Sequence, residues 1–192
     1  MMKIILASQS PRRKELMQDI GLPFQVHVVA TDEKIDRTLP IGQAIENVAL
    51  EKAMAVTKKY PDDLILAADT VVCKGKEIMG KPKGERDAFS MLSTLSGTTH
   101  QVITGVAIIS KGIKETFHVV SEVTFHDLTQ EDIEAYISTK EYEDKAGAYA
   151  IQGKGKLLVA KIQGDYYNIV GLPIALVYRK LKKYLHTSAG IV

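Results

Sequence analysis

Brief apolar runs, each about the length of a buried strand, alternate along this chain with stretches of helical periodicity, and that alternation limits the fold more than any other feature. Ile4 to Ala7 is the first run, closed by a turn signal. Ser10-Pro11 then reads as a helix start, with Ser10 as N-cap and Pro11 as the first helical residue. A serine hydroxyl can accept from an orphan backbone N–H, and proline has no N–H to lose at that position. Leu16, Met17 and Ile20 supply the apolar stripe of this helix and Gly21 its stop. Phe24 to Val29 alternates as a second strand. A longer helix is predicted from about Ile41 to Tyr60, with Ala44, Ile45, Val48, Ala49, Ala53 and Val56 at helical spacing. Leu64 to Ala68 is a further strand that ends on Asp69-Thr70, and the pattern around Lys74-Gly75-Lys76 predicts a hairpin from Val71 to Met79.

The second half is richer in strands. A helix from about Glu85 to Leu95, stopped by Gly97, precedes two β-rich runs, Gln101 to Ile109 and Glu115 to Phe125, with a turn at Lys111-Gly112. Thr129 opens a helix through Tyr136. Asp144 to Gly155 contains Gly147, Gly153 and Gly155 without periodicity, which reads as a functional loop. Leu157 to Ile162 is expected to be a strand, Gly164 to Asn168 a turn leading into a strand, and Leu172-Pro173 the start of a C-terminal helix to about Tyr184. The last residues are expected to fray. The chain is thus expected to be α/β, a mixed twisted sheet flanked by helices with a smaller β-rich lobe and a cleft between them. No composition shift marks a boundary, so residues 1–192 read as a single domain.

Composition removes several classes. With 25 Lys+Arg against 23 Asp+Glu the net charge is +2, which argues against a dedicated nucleic-acid binder or a membrane-surface protein. No run approaches the roughly 18 apolar residues of a membrane span, and Ile4 to Ala7 is too short for a signal-peptide core. The one cysteine, Cys73, cannot form an internal disulfide. A soluble, cytoplasmic protein is expected.

Candidate chemistry clusters in a few places. Ser8-Gln9-Ser10-Pro11-Arg12-Arg13 lies between a strand and a helix N-terminus, where orphan N–H groups, hydroxyls and guanidiniums suit a phosphate; a serine cap followed by solvated arginines is the plainer reading of the same residues. Asp69, at the end of an apolar strand, can hold a divalent metal, orient a water, or simply cap a turn. Lys52, Lys81 and Lys145 are candidate anion partners, and Lys81 is set apart because Gly80 and Pro82 fix the backbone that presents it. Asp32-Glu33 offers a further metal ligand. In the glycine loop, the Gln152 amide can pair with both donor and acceptor edges of a base; alternatively the segment is a crossover with Tyr149 and Ile151 in the core. His100, His118 and His126 read as ordinary strand residues. The Walker pattern, GxGxxG, GxSxG and HExxH are all missing.

Taken together, seven segments resemble the Maf-type nucleoside triphosphate pyrophosphatases, in that family's order and over nearly the whole chain. They are Ser8 to Arg13, Glu51-Lys52-Ala53, Ala68-Asp69-Thr70, Gly80-Lys81-Pro82, Leu95-Ser96-Gly97, Asp144 to Tyr149 with Ile151-Gln152-Gly153, and Gly171-Leu172-Pro173. The resemblance implies a fold similar to the inosine triphosphate pyrophosphatases. It also implies hydrolysis of a nucleoside triphosphate to the monophosphate and diphosphate with a divalent metal, Mg2+ or Mn2+. It makes Asp69 the general base, places Ser8, Arg13, Lys52 and Lys81 on the triphosphate, and gives the metal to Glu33 and Asp69. Arg12, Thr70 and Gln152 fall where the family separates its substrate branches, and they resemble the branch acting on dTTP and UTP. The same reaction on another nucleotide such as 7-methyl-GTP, or a non-catalytic regulator of septum formation that binds nucleotide or nucleic acid, are the alternatives. The resemblance further suggests a homodimer, while the near-neutral charge and the short apolar runs lead to the expectation of no stable nucleic-acid partner and no membrane.

Overall fold

The computed structural model describes residues 2–188. In chain order they form β1 (Ile4–Leu6), α1 (Pro11–Asp19), β2 (Phe24–Val26), α2 (Ile41–Thr57), β3 (Leu64–Lys74), β4 (Glu77–Met79), α3 (Glu85–Leu95), β5 (Thr99–Ser110), β6 (Ile113–Phe125), α4 (Gln130–Ile137), β7 (Val159–Gln163), α5 (Tyr166–Val170) and α6 (Ile174–Ser188). The strands share one mixed sheet with the order β2-β1-β3-β5-β6-β7, and β4 pairs with β3. β1 runs parallel to both neighbours, with Ile4 opposite Phe24 on one side and Leu64 on the other. β4 and β7 pair antiparallel with β3 and β6. The α/β class follows directly from this arrangement. The expected fraying falls on residues 189–192, outside the described residues, and no described helix is long and apolar enough to cross a membrane.

The chain divides into two compact units. One holds the residues up to Asp69, Thr104–Val119 and those from Gly171 on; the other holds Thr70–Ile103 and Val120–Val170.

In the first unit all three residues of β1 are buried, and α1 starts as its sequence dictates, Ser10 capping and Pro11 in the first turn. All six residues of the predicted α2 stripe are buried. Ala49, Ala53 and Val56 pack onto Ile5 and Ala7, onto Ile65 and Ala67 of β3, and onto Ala107 and Ile109 of β5. Small side chains on both surfaces let the helix backbone come close to the sheet. At Gly105 the approach is so close that a Cβ would stand 2.5–2.6 Å from the backbone of Ile45 and Glu46. Elsewhere in this unit, His118 Nδ1 of β6 meets Glu46 Oε1 of α2 at 2.6 Å. Lys180 and Tyr184 of α6 both bond the Glu115 carboxylate of β6.

The second unit corrects several expectations. The strand expected to stop at Asp69 runs on to Lys74, because Val71, Val72 and Cys73 are buried and Val72–Lys74 pair with β4. Asp69 therefore lies inside a strand rather than at its end. The Asp144–Gly155 loop contains a 3-10 turn at Ala146–Ala148, and a second, Lys154–Leu158, delays the expected strand start from Leu157 to Val159. Tyr149 and Ile151 are buried, as the crossover reading of that loop has it. Gly164 to Asn168 leads into a helix, α5, not a strand, since Asp165 Oδ1 accepts the Tyr167 N–H at 2.8 Å and turns the chain. Asn168 on α5 is buried and donates to Val102 O and Ser121 Oγ, each at 3.0 Å.

The Gly105 contact yields a direct expectation. Gly105→Ala pushes a methyl group into the α2 backbone, and the fold is expected to lose about 1–3 kcal/mol, the usual cost of overpacking a filled core. Chemical denaturation of the variant and the parent measures it; an unchanged midpoint would mean that α2 can lift off β5 without penalty.

Candidate active site

The first part of the site grows from the β1–α1 connection. Ala7 N–H still donates to Leu66 O of β3 at 2.8 Å, so the chain leaves the sheet only at Ser8. Ser8 is buried, and its Oγ accepts the Ser10 N–H at 3.3 Å and an Arg13 Nη1–H at 3.2 Å. Arg13 is also buried, and its Nε–H donates to Gly171 O at 2.7 Å. One planar guanidinium thereby ties the start of α1 to the Gly171-Leu172-Pro173 segment that precedes α6. Burial pushes the Arg13 guanidinium below its ordinary value; the Asp69 carboxylate opposes that shift, Arg12 adds to it and Glu33 opposes it. Both carboxylates therefore act on Arg13 electrostatically, while Arg12 adds a second positive charge beside it.

The second part is an ion-pair cluster. Lys52, presented by α2 between the buried Ala49 and Ala53, places Nζ 2.6 Å from Asp69 Oδ1 and 3.0 Å from Glu33 Oε1. Lys52 and Asp69 are largely shielded, with side-chain exposures of 13% and 17%, whereas Glu33 is 58% exposed. The Asp69 contact is therefore the stronger of the two, since solvent screens the other. Glu33 adopts φ +29°, an uncommon conformation for a side-chain-bearing residue. Of the Asp32-Glu33 pair, it is Glu33 that meets Lys52.

Asp69 and Glu33 offer the hard oxygen donors that Mg2+ and Mn2+ take, Oδ2 and Oε2 being the oxygens not set on Lys52 Nζ. No group of three His, Cys, Asp or Glu able to hold a metal occurs among the described residues. Water and substrate oxygens would have to complete the coordination, as is usual for Mg2+.

The remaining sequence candidates belong to the second unit. Thr70 follows Asp69 in β3 and is half-buried. Lys81, 67% exposed, has Nζ 4.0 Å from Asp144 Oδ1 of the glycine loop. Gly80 O, just before it, accepts the Gly147 N–H at 3.1 Å. Lys145 Nζ donates to Glu143 O at 2.9 Å, a local contact at the surface. Gln152 is exposed and opens onto a groove of about 530 Å³ whose lining includes Lys156, Lys161 and Tyr166.

Ser8 and Arg13 are thus in direct contact, and Lys52, Asp69 and Glu33 form one cluster whose two carboxylates act on Arg13. Reading the sequence missed the acceptor role of Gly171 O, although Gly171-Leu172-Pro173 is among the segments that carry the family resemblance. It missed the Lys52–Asp69 pair as well; the two residues stand 17 positions apart on different elements, and no local pattern announces them.

The sequence model of a family described as "Maf-like protein" matches residues 3–184. A Bacillus cereus protein named dTTP/UTP pyrophosphatase is 50% identical over 184 residues, covering 96% of this chain and 96% of that protein. A Bacillus anthracis protein of the same name has the same identity and coverage. Among solved structures, a Mycobacterium abscessus nucleoside-triphosphatase / dITP/XTP pyrophosphatase aligns with a TM-score of 0.43 at 16% identity, covering 72% of this chain and 95% of that one.

The Arg13 geometry makes its own prediction. Arg13→Lys keeps the charge but cannot serve Gly171 O and Ser8 Oγ with one planar fork, so a loss of about 1.5–3 kcal/mol in folding stability is expected. Equilibrium urea unfolding checks this, and a stability equal to the parent's would reduce Arg13 to a general positive charge.

Proposed function

Because the chain belongs to the Maf-like protein family, we propose that it is a nucleoside triphosphate pyrophosphatase, hydrolysing dTTP and UTP to the monophosphate and diphosphate. The observation that carries the reading is the Lys52 ammonium held against Asp69 and Glu33, with Arg13 within their electrostatic reach. An acceptor for a water proton and cations for a polyanion stand in one unit of the protein, which is what phosphoanhydride hydrolysis requires.

Water attacks the α-phosphorus in line with the departing diphosphate; a new O–P bond forms at that phosphorus, and its bond to the bridging oxygen of the diphosphate breaks. Asp69 has Oδ1 on Lys52, so Oδ2 takes the proton of the attacking water. Lys52 and Arg13 offset the negative charge that collects on the leaving diphosphate, and Ser8 orients the Arg13 guanidinium. Mg2+ or Mn2+ held by Asp69 and Glu33 would supply Lewis-acid polarisation of the phosphate. Lys81 joins the triphosphate in this proposal, and Arg12, Thr70 and Gln152 select the base; their roles rest on the family resemblance. The enzyme is further proposed to be homodimeric on the family resemblance, and, on its composition and charge, cytoplasmic without a stable nucleic-acid partner.

The test is a panel of nucleoside triphosphates, 7-methyl-GTP included, incubated with purified protein and Mg2+ or Mn2+ while diphosphate release is followed. Turnover concentrated on dTTP and UTP is expected; tight nucleotide binding with no release from any member would turn the reading into that of a binding protein. Asp69→Asn keeps size but removes the charge, and kcat is expected to fall by about 10²–10⁴-fold in a folded variant. Near-parental turnover would remove Asp69 from the proton-accepting role.

Lys81→Ala is expected to lower kcat/KM for dTTP and UTP by the same factor, since a lysine on the phosphates does not sense the base. Unchanged kinetics would return Lys81 to the solvated surface.

A further inference from the structure

Tyr149 stands three residues before Gln152, and its ring is buried against Phe125 and His100, with centroids 4.8 and 5.4 Å away and both edge to face. His100, near the start of β5, is buried too, and its Nε2 lies 2.8 Å from Tyr149 Oη. Its Nδ1 is buried without a hydrogen-bond partner among the described residues. A phenylalanine at this position would make the same edge-to-face contact with Phe125, at 4.9 Å, and would leave no buried nitrogen unmet. Packing alone therefore does not account for an imidazole here; the bond to Tyr149 does. Burial first and the Lys74 ammonium second push His100 down to about 4, so the ring is neutral around pH 7 and the bond is unaffected there.

That bond is one of several that fix the glycine loop. Gly147 carries φ +69°, and a Cβ there would stand 2.9 Å from the Val72 side chain, so the loop lies directly on β3. Ala150 N–H donates to Tyr136 Oη at 3.0 Å, and Lys154 N–H donates to Glu141 Oε2 at 2.8 Å. Gln152 is thus exposed at the middle of a short span anchored on both sides, and the anchor on its N-terminal side continues into the buried Tyr149–His100 pair. An exposed amide on a span this short can hold a set position only as well as the span's ends are held.

We propose that His100 and Tyr149 are positioning residues for base selection, holding the loop so that the Gln152 amide meets a pyrimidine and not a purine. The inference rests on the proposed reading of Gln152 as the base-contacting residue.

Kinetics of Tyr149→Phe, Gln152→Ala and the double variant test it, with kcat/KM measured for dTTP, UTP, dATP and dGTP. Tyr149→Phe keeps the ring and its packing while deleting the one hydroxyl. It is expected to reduce the preference for pyrimidine triphosphates by about five- to tenfold, the worth of one hydrogen bond. Added to Gln152→Ala it is expected to reduce the preference no further, because both act through the same amide. An equal loss on all four nucleotides would mark the pair as merely structural, and additive losses of preference would mean that it acts through some other residue; either result overturns the proposal. So does an unchanged preference in Tyr149→Phe. A parent protein inert on every nucleotide fails differently, since it removes the pyrophosphatase reading and base selection with it. Should Tyr149→Phe not fold, His100→Phe removes the same bond from the other side and is read by the same ratios. His100→Gln, whose amide can still reach the tyrosine hydroxyl, is expected to keep more of the preference than His100→Phe; equal loss in the two would also overturn the proposal.

Discussion

The position of the Lys52 ammonium, 2.6 Å from Asp69 and 3.0 Å from Glu33, is the constraint on which the proposed chemistry depends. A largely shielded ammonium–carboxylate pair is a weak source of stability, because the desolvation of both charges roughly cancels their attraction. Two packed apolar residues in the same place would hold α2 to β3 at least as well. The charges are better explained by what they offer a ligand: a fixed cation, a fixed carboxylate, and a more exposed second carboxylate on a strained residue. Their precision comes from packing. α2 cannot approach or recede freely, since its Ala49, Ala53 and Val56 fill the sheet surface and its backbone at Ile45 touches Gly105.

The β1–α1 connection solves a related problem by a different means. A helix N-terminus presents orphan N–H groups and favours anions, but only if the connection before it holds a single shape. Here the shape is enforced from a distance: Arg13 reaches back to Ser8 and across to Gly171 O, 158 positions along the chain. Arginine suits this role because its planar fork can satisfy two acceptors at once while its charge persists under desolvation. Burial weakens its hold on the proton, and the nearby Asp69 and Glu33 carboxylates counter that effect. The two halves of this unit's candidate site are thus electrostatically linked, with one cation buried at Ser8 and another at the carboxylates.

What could be read from the sequence follows the range of the interactions involved. The Ser10 cap, the Pro11 start and the six buried residues of α2 are set within a few residues, and local pattern revealed each of them. A charged Asp69 inside an apolar run imitates the end of β3; the strand continues because a later segment, β4, pairs with Val72–Lys74. The helix α5 was missed because five residues carry too little periodicity, and the Asp165 side chain rather than an apolar stripe starts it. Resemblance of short motifs named Ser8, Arg13, Lys52 and Asp69 together, yet it was silent on Gly171 O, Gly105 and the His100–Tyr149 bond. Those depend on which distant backbone or ring arrives alongside, and one-dimensional pattern does not encode that.

In the proposed reading, the Lys52 cluster and the Gln152 loop position their residues by opposite strategies, and the difference tracks the demands placed on each. A phosphate cluster needs charges at fixed separations, and buried strand and helix backbones give these in the first unit. Distinguishing one base from another needs a hydrogen-bonding edge that does not shift, on a segment close enough for a flat ring to approach. Regular structure offers such a ligand few free backbone groups, because its N–H and C=O groups are already paired. The Asp144–Gly155 segment has small residues and a 3-10 turn instead, with anchors drawn from side chains: Tyr136 on Ala150, Glu141 on Lys154 and His100 on Tyr149. The first two satisfy backbone N–H groups that the loop leaves without a ladder partner, and the third ties a loop side chain to β5. A buried histidine with one nitrogen unmet is a costly residue to keep in such a place. Its cost is intelligible if the tyrosine hydroxyl it holds is worth more to the accuracy of the loop than to the stability of the fold.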